Sequence, residues 1–191
     1  MKSYMFEICA NSAESCVAAR QGGAHRVELC AGMPEGGTTP SLGEIKVARK
    51  LIDIRLHVII RPRGGDFLYT PSELEIMEED IRAARQAGAD GVVFGCLTPE
   101  GELDKPAMQR LMEASKGLSV TFHRAFDYVK SPREALEELI GMGVNRVLTS
   151  GQMPTAMEGA PLLAELVKQA GDRIIICLLY TSDAADDLIG V

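Results

Sequence analysis

One pattern recurs along this chain and limits the folds that it can adopt. An amphipathic helical stretch ends in glycine and a short run of β-branched residues follows at once, as in residues 22–30, 87–95 and 142–151. Glycine is the usual residue just after a helix, and the apolar run that follows it is typical of a buried strand. Further apolar runs follow the same rhythm and bring the series to seven strands and six helices: residues 4–9, 55–62, 118–127 and 173–177.

This alternation indicates the architecture. Strands that are apolar on both faces and separated by helices form a parallel sheet that is covered on both sides. A closed barrel and an open doubly wound sheet both have this pattern, and the absence of a dinucleotide-binding fingerprint favours the barrel. We therefore predict an α/β fold, a parallel (β/α)8 TIM-type barrel that is truncated after about seven strands.

The helices carry their own start signals. Ser12, Ser72 and Ser131 stand where N-caps are expected, because a serine oxygen accepts a hydrogen bond from a free backbone N–H of the first turn. The stretch over residues 72–88 places an apolar stripe on one face, with acidic residues early and arginines late, as the helix dipole prefers.

The last fifteen residues break the rhythm. Residues 177–186, CLLYTSDAAD, resemble the translation of an adapter used in sequencing libraries. A genuine polar tail after a strand is the alternative, but we expect the natural sequence to stop near Ile176. The predicted domains are an incomplete TIM-type barrel over residues 1–176 and a non-native tail over residues 177–191.

Charge and cysteine usage limit the partners. A net charge of −7 and a pI near 5.1 argue against nucleic acid, whose binding proteins carry a basic face. The first residues lack the long apolar stretch of a signal peptide or membrane anchor, so we expect no membrane association. The five cysteines include no CxxC pair and fit reduced thiols, which predicts a cytoplasmic protein.

Polar side chains gather where the predicted strands end. A parallel barrel builds its functional site at the carboxyl ends of its strands and in the loops that follow. The candidates at these ends are Glu7, Cys9, Glu28, Cys30, Arg61, Arg63, Asp66, His123, Arg124, Asp127, Thr149 and Ser150. Because strand side chains alternate, Glu7 and Cys9 share a face, as do Glu28 and Cys30. If that face is the lumen, carboxylates, a guanidinium and an imidazole meet at the barrel mouth.

These residues support two kinds of interpretation. In an enzyme, His123 moves a proton, and Glu7 or Glu28 orients the imidazole or acts as a base. The substrate would then be a small anionic or phosphorylated molecule. Three arginines would hold it together with four other polar residues of the rim: Arg61, Arg63 and Arg124, with Asp66, Asp127, Thr149 and Ser150. The alternative is a purely structural set of ion pairs, since buried charges must be neutralised.

Five segments also carry a resemblance to a known family. FEIC, RVELCAGMPEGGTTPSLG, IIRPRGGDFLY, VTFHRAFD and RVLTSGQ, in this order and spacing, resemble the CutC family, which is named for copper homeostasis. The resemblance implies a TIM-type barrel, a cytoplasmic homo-oligomer and a role in copper handling. The copper ligands proposed in that family match Cys9 and Cys30. The family continues with a glycine-rich turn and an eighth strand, which this chain lacks.

The copper interpretation also has a physical basis. Adjacent parallel strands lie about 4.8 Å apart, so cysteines on the same face of strands one and two can bring two thiolates to one Cu(I) ion. A small buried apolar side chain is the alternative role for each cysteine. We therefore expect Cu(I) at Cys9 and Cys30, or a small anionic ligand at the mouth if the chain is an enzyme.

Overall fold

The computed structural model describes residues 5–178. Seven parallel strands form one sheet in chain order, curled into a half-barrel, and a helix follows each of the first six strands. This confirms the predicted TIM-type fold with its seven strands and six helices. The strands are β1 (Glu7–Ala10), β2 (Arg26–Leu29), β3 (Arg55–Ile59), β4 (Gly91–Phe94), β5 (Ser119–Phe122), β6 (Arg146–Thr149) and β7 (Ile175–Leu178).

The helices lie on the outer surface of the sheet. They are α1 (Ala13–Gln21), α2 (Leu42–Leu51), α3 (Pro71–Gln86), α4 (Lys105–Ala114), α5 (Pro132–Gly141) and α6 (Ala160–Ala170). Two short 3₁₀ turns, Met33–Glu35 and Arg124–Tyr128, follow β2 and β5. None of the helices in residues 5–178 has the length and apolar character that a membrane span requires. The predicted tail lies outside the described residues except for Cys177 and Leu178, which end β7.

Two of the three predicted N-caps occupy their expected positions. The Ser12 oxygen accepts a hydrogen bond from the Ser15 N–H at 3.0 Å. Ser131 is the N-cap of α5 but makes no capping bond with its side chain. The prediction of Ser72 was wrong, because the N-cap of α3 is Thr70, two residues earlier. Thr70 forms a capping box with Glu73, and the proline between Thr70 and Ser72 suits the first helical position because its φ is already helical.

The core lies mainly between sheet and helices. Outward-facing strand residues such as Leu29, Leu56 and Phe94 belong to the same core cluster as α3 residues such as Met77 and Ile81, and all of them are fully buried. The opposite faces of β2, β3 and β4 supply a second, small apolar cluster in the lumen: Cys30, Ile59 and Val93. The alternation that was read from the sequence therefore separates an outer core from a lumen that is lined by polar and sulfur-containing residues.

Glycines at the start of β4 and just after its end make room for two imidazoles. A Cβ at Gly91 would lie 2.5 Å from His57 Nε2, and a Cβ at Gly95 would lie 2.9 Å from His123 Nδ1. His57 belongs to β3 and His123 follows β5, and β4 lies between these two strands. Each ring therefore lies over a glycine of the β4 segment, one from either side. The two glycines thus determine where the lumen histidines sit.

Candidate functional site

Three sulfur atoms meet where β1 and β2 end. Cys9 Sγ lies 3.1 Å from Cys30 Sγ, and Cys30 Sγ lies 3.3 Å from Met33 Sδ. Cys9 is exposed, whereas Cys30 is 1% exposed. We call Cys9, Cys30 and Met33 the sulfur cluster. The sheet register places Cys9 beside Glu28, two residues before Cys30, so the predicted same-face arrangement brings the two thiols into contact.

The loop after β2 brings Met33 to the cysteines. Ala31 and Thr38 pair through two backbone hydrogen bonds of 2.9 and 2.8 Å, which close the loop at its base. Gly32 has a φ of 54°, a conformation that L side chains rarely adopt, and it turns the chain directly into the Met33–Glu35 turn. Sequence reasoning missed Met33. The available signal was a methionine three residues after a candidate ligand and just after a glycine.

The electrostatics of the pair favour the protonated form of Cys9. The hydrogen bond to Cys30 and partial desolvation raise the pKa of Cys9 above its ordinary value, and the neighbouring Glu7 acts in the same direction. A soft metal ion must therefore displace protons to bind here. Within residues 5–178 no three or more His, Cys, Asp or Glu side chains are grouped to hold a metal, so the cluster offers sulfur alone.

Glu7 and Glu28 lie beside the cluster but differ in their partners. Glu7 Oε2 accepts a hydrogen bond of 2.6 Å from Arg26 Nη2, in a pair whose arginine is buried. Glu28 is 8% exposed, and burial, together with the nearby Cys9 and Glu7, raises its pKa well above the ordinary value. The Glu7 pair agrees with the structural alternative, whereas Glu28 is a buried carboxyl whose neutral form is favoured.

Arg61 is 4% exposed and uses its guanidinium to hold two loops. Its Nη1 donates to the carbonyls of Glu35 and Gly37 at 2.7 and 3.0 Å, and its Nη2 donates to the Gly65 carbonyl at 2.8 Å. The guanidinium also lies 5.0 Å from the centre of the Phe67 ring. Most of its donors are therefore committed to the protein, although its charge faces the barrel mouth.

Arg63 and Asp66 bind each other on the exposed side of the loop after β3. Arg63 donates to Glu73 at 2.6 Å and to Asp66 at 3.0 Å. These bonds raise the pKa of Arg63, and the bond to Glu73 is the main cause. The pKa of Asp66 is lowered, first by its hydrogen bond from the Leu68 N–H and then by its bond from Arg63. The pair joins the loop to the start of α3, which leaves Arg63 little capacity to bind an anion.

His123 lies at the predicted end of β5 and is 4% exposed. Its Nδ1 accepts a hydrogen bond from the Ala125 N–H at 3.3 Å, and its buried Nε2 has no partner among the described residues. Burial and the charge of Arg61 lower its pKa to about 3, so the ring is neutral at neutral pH and carries its proton on Nε2. The acid–base role of His123 stays a prediction, and within residues 5–178 no carboxylate contacts its ring.

Asp127, Thr149 and Ser150 form one compact network behind the mouth. Asp127 accepts hydrogen bonds from the hydroxyl groups of Thr149 and Ser150 and from the backbone N–H groups of Ser150 and Gln152. Arg124 Nε also donates to Asp127, at 3.2 Å. The Thr149 hydroxyl is therefore occupied by a carboxylate, and the Ser150 hydroxyl also contacts the Met153 carbonyl at 2.6 Å. Arg124 is the member whose Nη groups make no hydrogen bond within the described chain.

The predicted site residues thus fall into separate groups. The prediction that Glu7 lies at the carboxyl end of its strand was wrong, because Glu7 is the first residue of β1 and is in register with Arg26, the first residue of β2. The sulfur cluster, Glu7 and Glu28 lie at β1 and β2, whereas His123 and Arg124 lie at the end of β5. Arg61 connects the two sides, because Phe67 contacts its guanidinium and lies 4.8 Å from the His123 ring.

The matching sequence model is that of the CutC family, and it covers residues 4–179. The chain belongs to the CutC family. A CutC family protein of Bacteroides thetaiotaomicron is 66% identical over 177 residues, which are 92% of this chain and 71% of that protein. The human copper homeostasis protein cutC homolog is 51% identical over 173 residues, which are 91% of this chain and 63% of that protein.

A solved CutC structure has the same fold. The crystal structure of CutC from Streptococcus agalactiae superposes with a TM-score of 0.88 at 36% sequence identity, covering 92% of this chain and 87% of that one. In this CutC family chain, the segments that carried the resemblance contain the sulfur cluster, the Arg61 loops and the His123 region.

Proposed function

We propose that this chain binds Cu(I) through Cys9 and Cys30, with Met33 as a third donor, and acts in copper homeostasis. The contact between the two Sγ atoms, 3.1 Å long, is the observation that carries the proposal. Two thiols and a thioether are soft ligands, and soft ligands select Cu(I) over hard divalent ions. The name of the human relative, copper homeostasis protein cutC homolog, agrees with this assignment.

The donor set fits copper as cargo. Cys9 and Met33 are exposed, so an incoming ion can reach one thiol and the thioether directly, while Cys30 is buried beside them. The two cysteines, once deprotonated to thiolates, supply the charge that stabilises a monovalent soft cation, and the thioether adds a neutral contact. The cytoplasmic location and the homo-oligomer that the family resemblance implies stay predictions.

The test is a Cu(I) titration of the reduced chain in competition with a chromogenic Cu(I) chelator, without oxygen. We expect one ion per chain in the wild type and none in Cys9→Ala/Cys30→Ala. Met33→Leu keeps nearly the same volume and should bind one ion more weakly. Cys16→Ala is the matched control, because Cys16 is buried in the outer core and should not affect binding. Unchanged binding in the double variant would refute the proposal.

A second candidate function is an enzyme that acts on a small anion. A groove of about 570 Å³ at the barrel rim is lined by Arg61, Arg124, Phe67 and Tyr128 among others. Arg124 has free Nη donors on the rim, and the two rings give the groove apolar walls. A thermal-shift screen of small carboxylates and phosphates tests this function. A stabilising anion should lose its effect in Arg124→Ala and keep it in Arg82→Ala, a surface control on α3.

A further inference from the structure

We infer that Cys9 and Cys30 are a modification site, at which a reversible disulfide closes the sulfur cluster to metal ions. The effect on copper rests on the proposed function, whereas the disulfide itself does not. The Sγ atoms lie 3.1 Å apart, so they must approach each other by about 1 Å to reach the S–S bond length of about 2.05 Å.

The positions of the two cysteines allow this approach. Cys9 lies in the four-residue edge strand β1, and Cys30 follows the last residue of β2 and begins the loop that carries Met33. Both residues are therefore near the ends of their strands, where small backbone shifts disturb few hydrogen bonds. Cys16 and Cys96 are buried in the outer core, which separates them from this pair.

The difference in exposure sets the order of events. A small disulfide such as oxidised glutathione can reach the exposed Cys9 but not Cys30, which is 1% exposed. Cys9 thiolate attacks one sulfur of the reagent, forms a mixed disulfide and releases one glutathione thiolate. Cys30 thiolate then attacks Cys9 Sγ, forms the internal disulfide and releases the second glutathione. Two protein thiols are oxidised and one glutathione disulfide is reduced, and the two protons that the protein thiols lose are taken up by the two glutathione thiolates.

The consequence for the site follows from the chemistry of sulfur. The thiolate is the form of cysteine that binds metal ions, and a disulfide has none. The oxidised chain would keep only the Met33 thioether, which cannot hold Cu(I) alone. Reduction would restore the cluster, so metal capacity would depend on the surrounding thiol–disulfide balance.

The test counts thiols after incubation with oxidised glutathione. Cys177→Ser serves as the background, because Cys177 is also partly exposed and would complicate the count. Four of the five cysteines remain. After denaturation and alkylation, mass spectrometry should find two free thiols, no glutathione adduct, and a bond between the peptides of Cys9 and Cys30. Incubation at mildly alkaline pH increases the thiolate fraction and shortens the experiment.

Two single variants test the order of events. Cys30→Ser should retain a stable glutathione adduct at Cys9, because the second step is blocked, and Cys30→Ala replaces it if the serine variant does not fold. Cys9→Ser should acquire neither adduct nor disulfide. The inference is wrong if the background chain keeps four free thiols, or if it accumulates the adduct at Cys9 while Cys30 stays free.

The copper titration separates the two proposals. If the disulfide forms but the reduced chain does not bind Cu(I), only the proposed function fails. If the reduced chain binds Cu(I) but no disulfide forms, only this inference fails. A chain that satisfies both should lose Cu(I) binding after oxidation and regain it after reduction.

Discussion

Gly91→Ala should destabilise the chain, because the added methyl group would overlap the His57 ring. The Cβ would lie 2.5 Å from Nε2 and 2.7 Å from both Cδ2 and Cε1, whereas ordinary van der Waals contact begins at 3.4 Å. The ring must therefore move by about 1 Å inside a closely packed lumen, where His57 is 1% exposed. Such overpacking typically costs about 1–3 kcal/mol. Gly91 has no positive φ, so the cost is steric rather than conformational.

Urea denaturation, followed by circular dichroism, measures this cost. For a chain of this size the loss corresponds to a melting temperature lower by about 2–12 °C. Gly141→Ala is the matched control, because a Cβ there meets nothing within 4 Å and alanine favours the helix. In a double-mutant cycle, Gly91→Ala/His57→Ala should be less destabilised than the sum of the single variants, by at least about 0.5 kcal/mol. Additive effects would refute the proposed overlap.

Three further predictions follow from the groups around the lumen. The pKa of His57 and that of His123 are each lowered to about 3, by burial first and then by nearby arginines, so acidification protonates both only in the unfolded chain. Each histidine should therefore lower the unfolding free energy by about 2 kcal/mol between pH 7 and pH 5. Over the same pH interval, urea titrations of His57→Gln/His123→Gln should show a loss of unfolding free energy that is smaller than that of the wild type by about 4 kcal/mol. Asp127→Ala should lower the unfolding free energy by more than about 2 kcal/mol in the same assay, because it leaves the N–H groups of Ser150 and Gln152 without their acceptor. A loss below about 0.5 kcal/mol would contradict the network. Arg61→Lys should accelerate amide hydrogen exchange in residues 31–38 at least about tenfold and leave exchange in α5 unchanged, because one ammonium cannot reach three carbonyls. Exchange in residues 31–38 at the same rate in the variant and the wild type would contradict this role.

The fold was predictable because its signals are local. A helix that ends in glycine and a following apolar run are both visible within about fifteen residues, and their repetition fixes the order of a parallel sheet. The contact between Cys9 and Cys30 was predictable for a related reason, since side-chain alternation places both on one face of adjacent strands. Where two local signals competed, as for the N-cap of α3, the choice between Thr70 and Ser72 depended on the proline between them.

The partners of the polar side chains were not predictable. Arg61 binds the carbonyls of Glu35, Gly37 and Gly65, and every residue type carries a carbonyl. Asp127 accepts hydrogen bonds from Thr149 at the end of β6 and from Ser150 and Gln152 just after it, all more than 20 positions away in the sequence. A sequence can place a charge at the end of a strand, but only the packed loops decide whether that charge binds a ligand or holds the protein together. Met33 was missed for the same reason, since its direction depends on the conformation of Gly32.

Arg61 affects how variants at the mouth should be interpreted. Its bond to the Glu35 carbonyl stabilises the loop that presents Met33 to the cysteines. Its guanidinium also contacts the Phe67 ring, which in turn packs against the His123 ring. Arg61 variants should therefore disturb both the sulfur cluster and the groove, so a loss of function in them cannot distinguish copper binding from anion binding. Cys9 and Arg124 provide the distinction, because each is exposed and belongs to one group only. If Cys9 variants lose only Cu(I) binding and Arg124 variants lose only anion binding, the two sites at the mouth are chemically independent.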